Sequence, residues 1–179
     1  TSILETLYWF VFENYNPTNN KPYYDLSHCP HCRTPEIRLE KSKIHRANYS
    51  WECSTCEGEI LLTDVFRLFE KVNDESGALS IVTYLESVIE SFFIIHTIKS
   101  LMEIEEGFVS RFLFVKEGPL SFGGETARMY KPMQSLLNYL NKTNRINLVG
   151  VETSGPFVDH AKQIKDKLKP GQVFLLNNE

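Results

Sequence analysis

The sequence has no run of about 18 uninterrupted apolar residues, the length a membrane-spanning helix requires. Its most apolar stretch, Ser91–Met102, is broken by His96 and Lys99. Glycine and proline are sparse, 9 and 8 of 179 residues, which excludes collagen-like and low-complexity chains. No charge sign dominates. Nineteen Lys and Arg against 23 Asp and Glu leave a formal charge of −4, unlike a uniformly basic nucleic-acid coat protein, though a local basic face stays open. Cysteines number only four, too few for a disulfide-built miniprotein of this length. There is no internal repeat. Gly123-Gly124 is not followed by Lys-Ser or Lys-Thr, so it is no phosphate-binding fingerprint.

What is present is ordinary globular composition, 42% hydrophobic and 23% charged. A chain this long buries roughly 70% of its unfolded surface, enough for a true core. One compact domain with a small appendage is expected. The amino end, Thr1-Ser2-Ile3-Leu4, has neither initiator Met nor basic leader. The expectation is an excised fragment of a cytoplasmic protein without a signal peptide.

Residues 1–13 place Ile3, Leu4, Leu7, Tyr8, Phe10 and Val11 near helical spacing, and residues 14–22 read as a loop. Thr63 and Asp64 suit the start of a helix running to about Val72, before a break at residues 73–77. A long helix then carries Leu79, Val82, Leu85, Ile89, Phe92, Phe93, His96 and Leu101 on or near one stripe. Beyond Gly107 the pattern becomes strand (112–115), helix (from Pro132, with Met133, Leu136, Leu137 and Leu140 inward), strand (146–151), helix (156–168), strand (173–176). Such alternation predicts an α/β fold with chemistry near the carboxyl ends of the strands. Those ends carry Glu117, Glu152 and Asn177. Three segments follow: 1–24, a helix and linker of the main domain; 25–62, a small cysteine unit; and 63–179, the α/β domain.

The cysteines fall in two knuckles, Cys29-Pro30-His31-Cys32 and Cys53-Ser54-Thr55-Cys56, with twenty residues (33–52) between them. Two tight turns, each delivering two thiolates, match a tetrahedral zinc site. Short strands at Ile37-Arg38-Leu39 and Tyr49-Ser50-Trp51-Glu52 complete a zinc ribbon. Four cysteines close the coordination sphere, which leaves structural zinc; His28 and His31 are expected outside it, though either could replace a thiol. The ribbon is either a stability clip or a docking element. For docking, Arg33, Arg38, Lys41, Lys43, His45 and Arg46 lie beside Tyr49 and Trp51, a mixture able to hold phosphates and stack bases. His160 and His96 read as packing residues.

Carboxylates on separate elements suit magnesium or manganese. The candidates are Glu117 and Glu152 at strand ends, and Glu86 and Glu90 on the long helix. Phe114-Val115-Lys116-Glu117-Gly118-Pro119-Leu120 resembles the "DGPL"-type motif of the NurA nuclease family. Leu148–Ala161, beginning Leu-Val-Gly-Val-Glu-Thr-Ser-Gly, resembles the "VGVEKSG" segment of its bacterial relatives. The resemblance covers roughly residues 63–179. It implies a ribonuclease H-like mixed sheet and manganese- or magnesium-dependent cleavage of DNA from its ends. It also implies a ring-shaped HerA-type hexameric ATPase as partner. Within it, Glu117 takes the metal-binding acidic position, where the family has Asp, and Thr153 stands where Lys is usual. Glu86 or Glu90 matches a second carboxylate, and Glu152 is a nearby ligand or orienting group. Lys116 and Thr153 are candidates to contact DNA. The family's first catalytic Asp has no counterpart here. The rival expectation is a non-catalytic scaffold, docking DNA or protein through the ribbon and a translocase or second copy through the long helix, with no membrane involved.

Overall fold

The computed structural model describes residues 2–70, 77–105, 107–118, 129–143 and 145–174. Helix α1 (Ile3–Val11) opens with a reciprocal cap. The Ser2 hydroxyl accepts from the Glu5 N–H at 3.1 Å, and the Glu5 carboxylate accepts from the Ser2 N–H at 2.7 Å. Two antiparallel hairpins follow. The first pairs β1 (Tyr23–His28) with β2 (Pro35–Glu40), in the register Tyr23 with Glu40 through His28 with Pro35. The second pairs β3 (Ser50–Glu52) with β4 (Glu59–Leu61). Then come α2 (Gly77–Ile104), β5 (Leu113–Glu117), α3 (Tyr130–Thr143), β6 (Asn147–Val151) and α4 (Pro156–Ile164).

The expected mixture of helix and strand is present. Among the described residues the strands pair two by two, in three separate ladders rather than one wide sheet. The chain divides into two compact units. The larger holds residues 1–112 and 121–147, and the smaller holds 113–120 and 148–179.

In the larger unit the cysteine hairpins share a core with α1. Leu26, Leu39, Trp51 and Ile60 are buried, as are Leu7, Phe10 and Phe12, and the Phe12 and Trp51 rings lie 6.1 Å apart. On α3, Met133, Leu136 and Leu140 are fully buried as expected, while Leu137 is half-buried.

Two expectations are corrected in this unit. No α-helix runs from Thr63. The segment forms two short 3-10 turns, Leu62–Phe66 and Leu68–Glu70, and residues 71–76 lie outside the described residues. Arg67 separates the turns because its backbone is left-handed (φ 55°), a conformation no helix continues through. Asp64 does cap the first turn, accepting the Leu61 N–H at 2.8 Å.

The second correction concerns α2, which buries a different stripe from the expected one. Tyr84, Val88, Ser91, Phe92, Ile95, Ile98 and Lys99 face inward, while Leu79, Val82, Leu85, Ile89 and Phe93 face solvent. The helix is apolar on nearly every side, so periodicity alone does not choose a face. Neighbours choose it. The Thr6 hydroxyl meets His96 Nδ1 at 2.7 Å, and the Phe66 ring packs edge-on against Phe92 at 6.1 Å. Over Ile81–Ile104 the mean hydropathy reaches 1.4, which matches a bilayer span by length and composition although no uninterrupted run exists. A third (33%) of that window is nevertheless buried inside the folded unit.

In the smaller unit, the Gly118 N–H donates to the Val151 carbonyl at 2.8 Å, which brings the carboxyl ends of β5 and β6 together. Gly155 (φ 94°) turns the chain into α4, and Pro156 occupies its first turn. Residues 173 and 174 are not in a strand; the rest of the expected last strand, 175–176, and Asn177 lie outside the described residues.

Candidate metal centre

Each knuckle sits in the turn of one hairpin, and the two turns are built alike. The Cys29 N–H donates to the Thr34 carbonyl at 2.8 Å, and the Cys53 N–H donates to that of Gly58 at 3.0 Å. Arg33 N–H returns to the Cys29 carbonyl at 3.1 Å, and Glu57 N–H to the Cys53 carbonyl at 2.9 Å. Both return residues are left-handed, with φ of 63° and 58°. The geometry lifts two sulfurs from each turn toward a common point.

All four sulfurs lie within 4.8 Å of one another. Two contacts join opposite knuckles: Cys29 to Cys56 and Cys32 to Cys53, each 3.9 Å between Sγ atoms. A tetrahedral ion with metal–sulfur bonds of about 2.3 Å needs sulfur–sulfur edges of about 3.8 Å. The four thiols therefore fit a soft divalent ion of the zinc class. Cys29 and Cys53 are buried; Cys32 and Cys56 are exposed.

Four thiolates cannot share so small a volume without a cation, and the free thiols divide accordingly. The Thr34 hydroxyl and N–H hold Cys32 down to about 6. The N–H groups of Thr55 and Cys56 lower Cys53. Burial raises Cys29. The Gly58 N–H pulls Cys56 down, but the neighbouring sulfurs, Cys32 foremost, together with burial push it up to about 12.

Sequence reasoning missed the layer behind the sulfurs. His31 Nε2 lies 2.7 Å from the Glu59 carbonyl, so it carries the proton and donates. It ties the first knuckle to the second hairpin and is not a metal ligand. Gly58 leaves room for that ring: a Cβ there would come 2.7 Å from His31 Cδ2 and 3.2 Å from Cys56 Sγ. The one signal in the sequence was a glycine two residues after the last cysteine. His28 is also outside the cluster, 2.9 Å from the Ser27 hydroxyl and 2.8 Å from Arg33 Nη1.

Of the basic residues expected to dock a partner, Arg33, Arg38, Lys43, His45 and Arg46 are exposed and Lys41 is half-buried, and the side chains of all but His45 bond within the same unit. Arg33 bonds His28, Arg38 pairs with Asp25 at 3.1 Å, and Lys43 pairs with Glu40 at 2.7 Å. Lys41 bonds Asn14, and Arg46 donates to the Tyr8 hydroxyl at 2.8 Å. Trp51, expected to stack bases, is only 4% exposed, with its indole N–H on the Glu40 carbonyl at 2.7 Å. Tyr49 leans on Tyr8, with ring centroids 5.7 Å apart.

The carboxylates are distributed between the units. Glu86 and Glu90 are exposed on α2 of the larger unit. Glu117 and Glu152 stand at the ends of β5 and β6 in the smaller one. Glu117 is exposed and accepts a 3.3 Å hydrogen bond from the Thr153 hydroxyl, and Glu152 is half-buried. Lys116 reaches the Glu117 carbonyl at 3.0 Å. His160 packs near Phe174, with ring centroids 6.4 Å apart. Among the described residues, the four cysteines alone gather three or more metal-binding side chains at one point. Compared with known proteins, the chain matches no family model, no curated protein and no solved structure.

Proposed function

We propose that the chain belongs to a metal-dependent DNA nuclease of NurA type, with a ribonuclease H-like core and a structural zinc ribbon. In this reading it works in the cytoplasm on DNA ends beside a HerA-type translocase. The observation that supports it is local to the smaller unit. The carboxyl ends of β5 and β6 lie together, with Glu117 and Glu152 directly at or after them and the Thr153 hydroxyl on Glu117. These are hard oxygen donors, which suit manganese or magnesium rather than zinc. Glu117 and Glu152 would hold the ion. A bound ion supplies Lewis-acid stabilisation of charge on the phosphodiester and an activated water. Lys116 and the amino end of α4 would meet the phosphates.

The test is hydrolysis of linear duplex DNA by the full-length polypeptide under manganese or magnesium titration. Wild-type protein cleaves. Glu117→Gln lowers the rate at least 100-fold with unchanged circular dichroism. Undiminished cleavage by Glu117→Gln removes the carboxylate from the chemistry and with it this reading.

A second reading, a non-catalytic zinc-ribbon scaffold, is favoured by the exposure of Glu117 and by its having one neighbouring strand-end carboxylate in its own unit. Absence of cleavage at any manganese or magnesium concentration by the full-length protein selects it.

A further inference from the structure

We propose that the cysteine cluster is a site of reversible oxidation by hydroperoxides, closing two disulfides between the knuckles, Cys29–Cys56 and Cys32–Cys53, with release of the metal ion. The proposal rests on the zinc reading of the cluster, and the geometry that carries it is the pairing of the sulfurs. Each 3.9 Å contact crosses from one hairpin to the other, and each joins one exposed cysteine to one buried cysteine. The outer member of each pair meets the oxidant, and the inner member is held beside it as the resolving thiol.

The chemistry balances without further reagents. The Cys32 thiolate attacks one peroxide oxygen, giving Cys32 sulfenic acid and expelling hydroxide. The Cys53 thiolate then attacks that sulfur, forming the Cys32–Cys53 disulfide and expelling a second hydroxide. Cys56 and Cys29 repeat the sequence with a second peroxide. Four thiolates lose four electrons, two peroxides accept them, and the ion leaves because a disulfide sulfur is a poor ligand. Both links tie β1–β2 to β3–β4, so the ribbon stays folded after the metal is lost. Links within a knuckle would leave the hairpins unjoined.

The sequence makes the two outcomes easy to tell apart. Cys29 and Cys32 share a tryptic peptide ending at Arg33, and Cys53 and Cys56 share residues 47–67. The zinc content of the purified chain is measured first. One equivalent per chain establishes the metal reading separately, and its absence with the thiols reduced and zinc supplied rejects that reading rather than the pairing. The zinc-loaded protein is then treated with hydrogen peroxide and digested without reductant. The expected result is release of one zinc per chain, a single covalent species joining the two peptides, and recovery of zinc binding after reduction. In Cys53→Ser the joined species should persist, held by Cys29–Cys56 alone, and a Cys29–Cys32 disulfide in its place overturns the pairing. Two separate peptides, each with an internal disulfide, overturn the proposal. So does zinc retained while peroxide oxidises the protein's methionines.

Discussion

Gly58→Ala probes the layer behind the sulfurs most directly. An added Cβ would stand 2.7 Å from His31 Cδ2, 3.0 Å from its Cγ and 3.2 Å from Cys56 Sγ. The backbone is not at issue, since Gly58 is absent from the left-handed glycines. The ring must therefore move. It is exposed and can swing into solvent, which limits the cost to its bond with the Glu59 carbonyl, about 1 kcal/mol. To this is added a shift of Cys56 Sγ by a few tenths of an ångström. The total, roughly 1–2 kcal/mol, corresponds to about a 5- to 30-fold loss in zinc affinity, in the range known for groups behind the ligands. Competition against a chromophoric chelator measures it. The decisive comparison is the double variant. In a His31→Ala background the ring is gone, and Gly58→Ala should cost only the part due to Cys56, so the two effects are less than additive. Full additivity, or a Gly58→Ala affinity within twofold of wild type, refutes the argument that the ring is the obstacle.

Two further outcomes test other parts of the structure. Ile95 is 0% exposed and Phe93 69%, two residues apart on α2. In chemical denaturation, Ile95→Ala should cost about 2–5 kcal/mol and Phe93→Ala about 0.5 kcal/mol or less; equal losses would mean that the buried face is misassigned. Metal binding requires every sulfur deprotonated, and Cys29 and Cys56 are held protonated in the free ribbon. Zinc binding near pH 7 should therefore release at least two protons, and affinity should rise with pH. The release is read from the dependence of binding enthalpy on the ionisation enthalpy of the buffer, and a buffer-independent enthalpy contradicts the assigned directions.

Much of the site was legible before any coordinates, because knuckle chemistry is local. Two sulfurs three residues apart share one turn, and only pairing of the knuckles was left to folding. The element types of α1, α3, α4, β5 and β6 were legible for the same reason. They follow from spacing over a few residues, as with Met133, Leu136 and Leu140 on α3. The carboxylates were not so legible. Glu117 and Glu86 are isolated charges whose role depends on what approaches them across the fold, and a motif resemblance names positions without assembling them.

What the chain alone determined here is therefore the thiol tetrad and most of the element types, since each is set by neighbours within a few residues. Tertiary structure alone decided which side of α2 is core, that Trp51 is interior rather than a stacking platform, and that His31 and Gly58 stand behind the sulfurs. Those outcomes depend on contacts between segments far apart in sequence, such as Thr6 with His96, which no local pattern encodes.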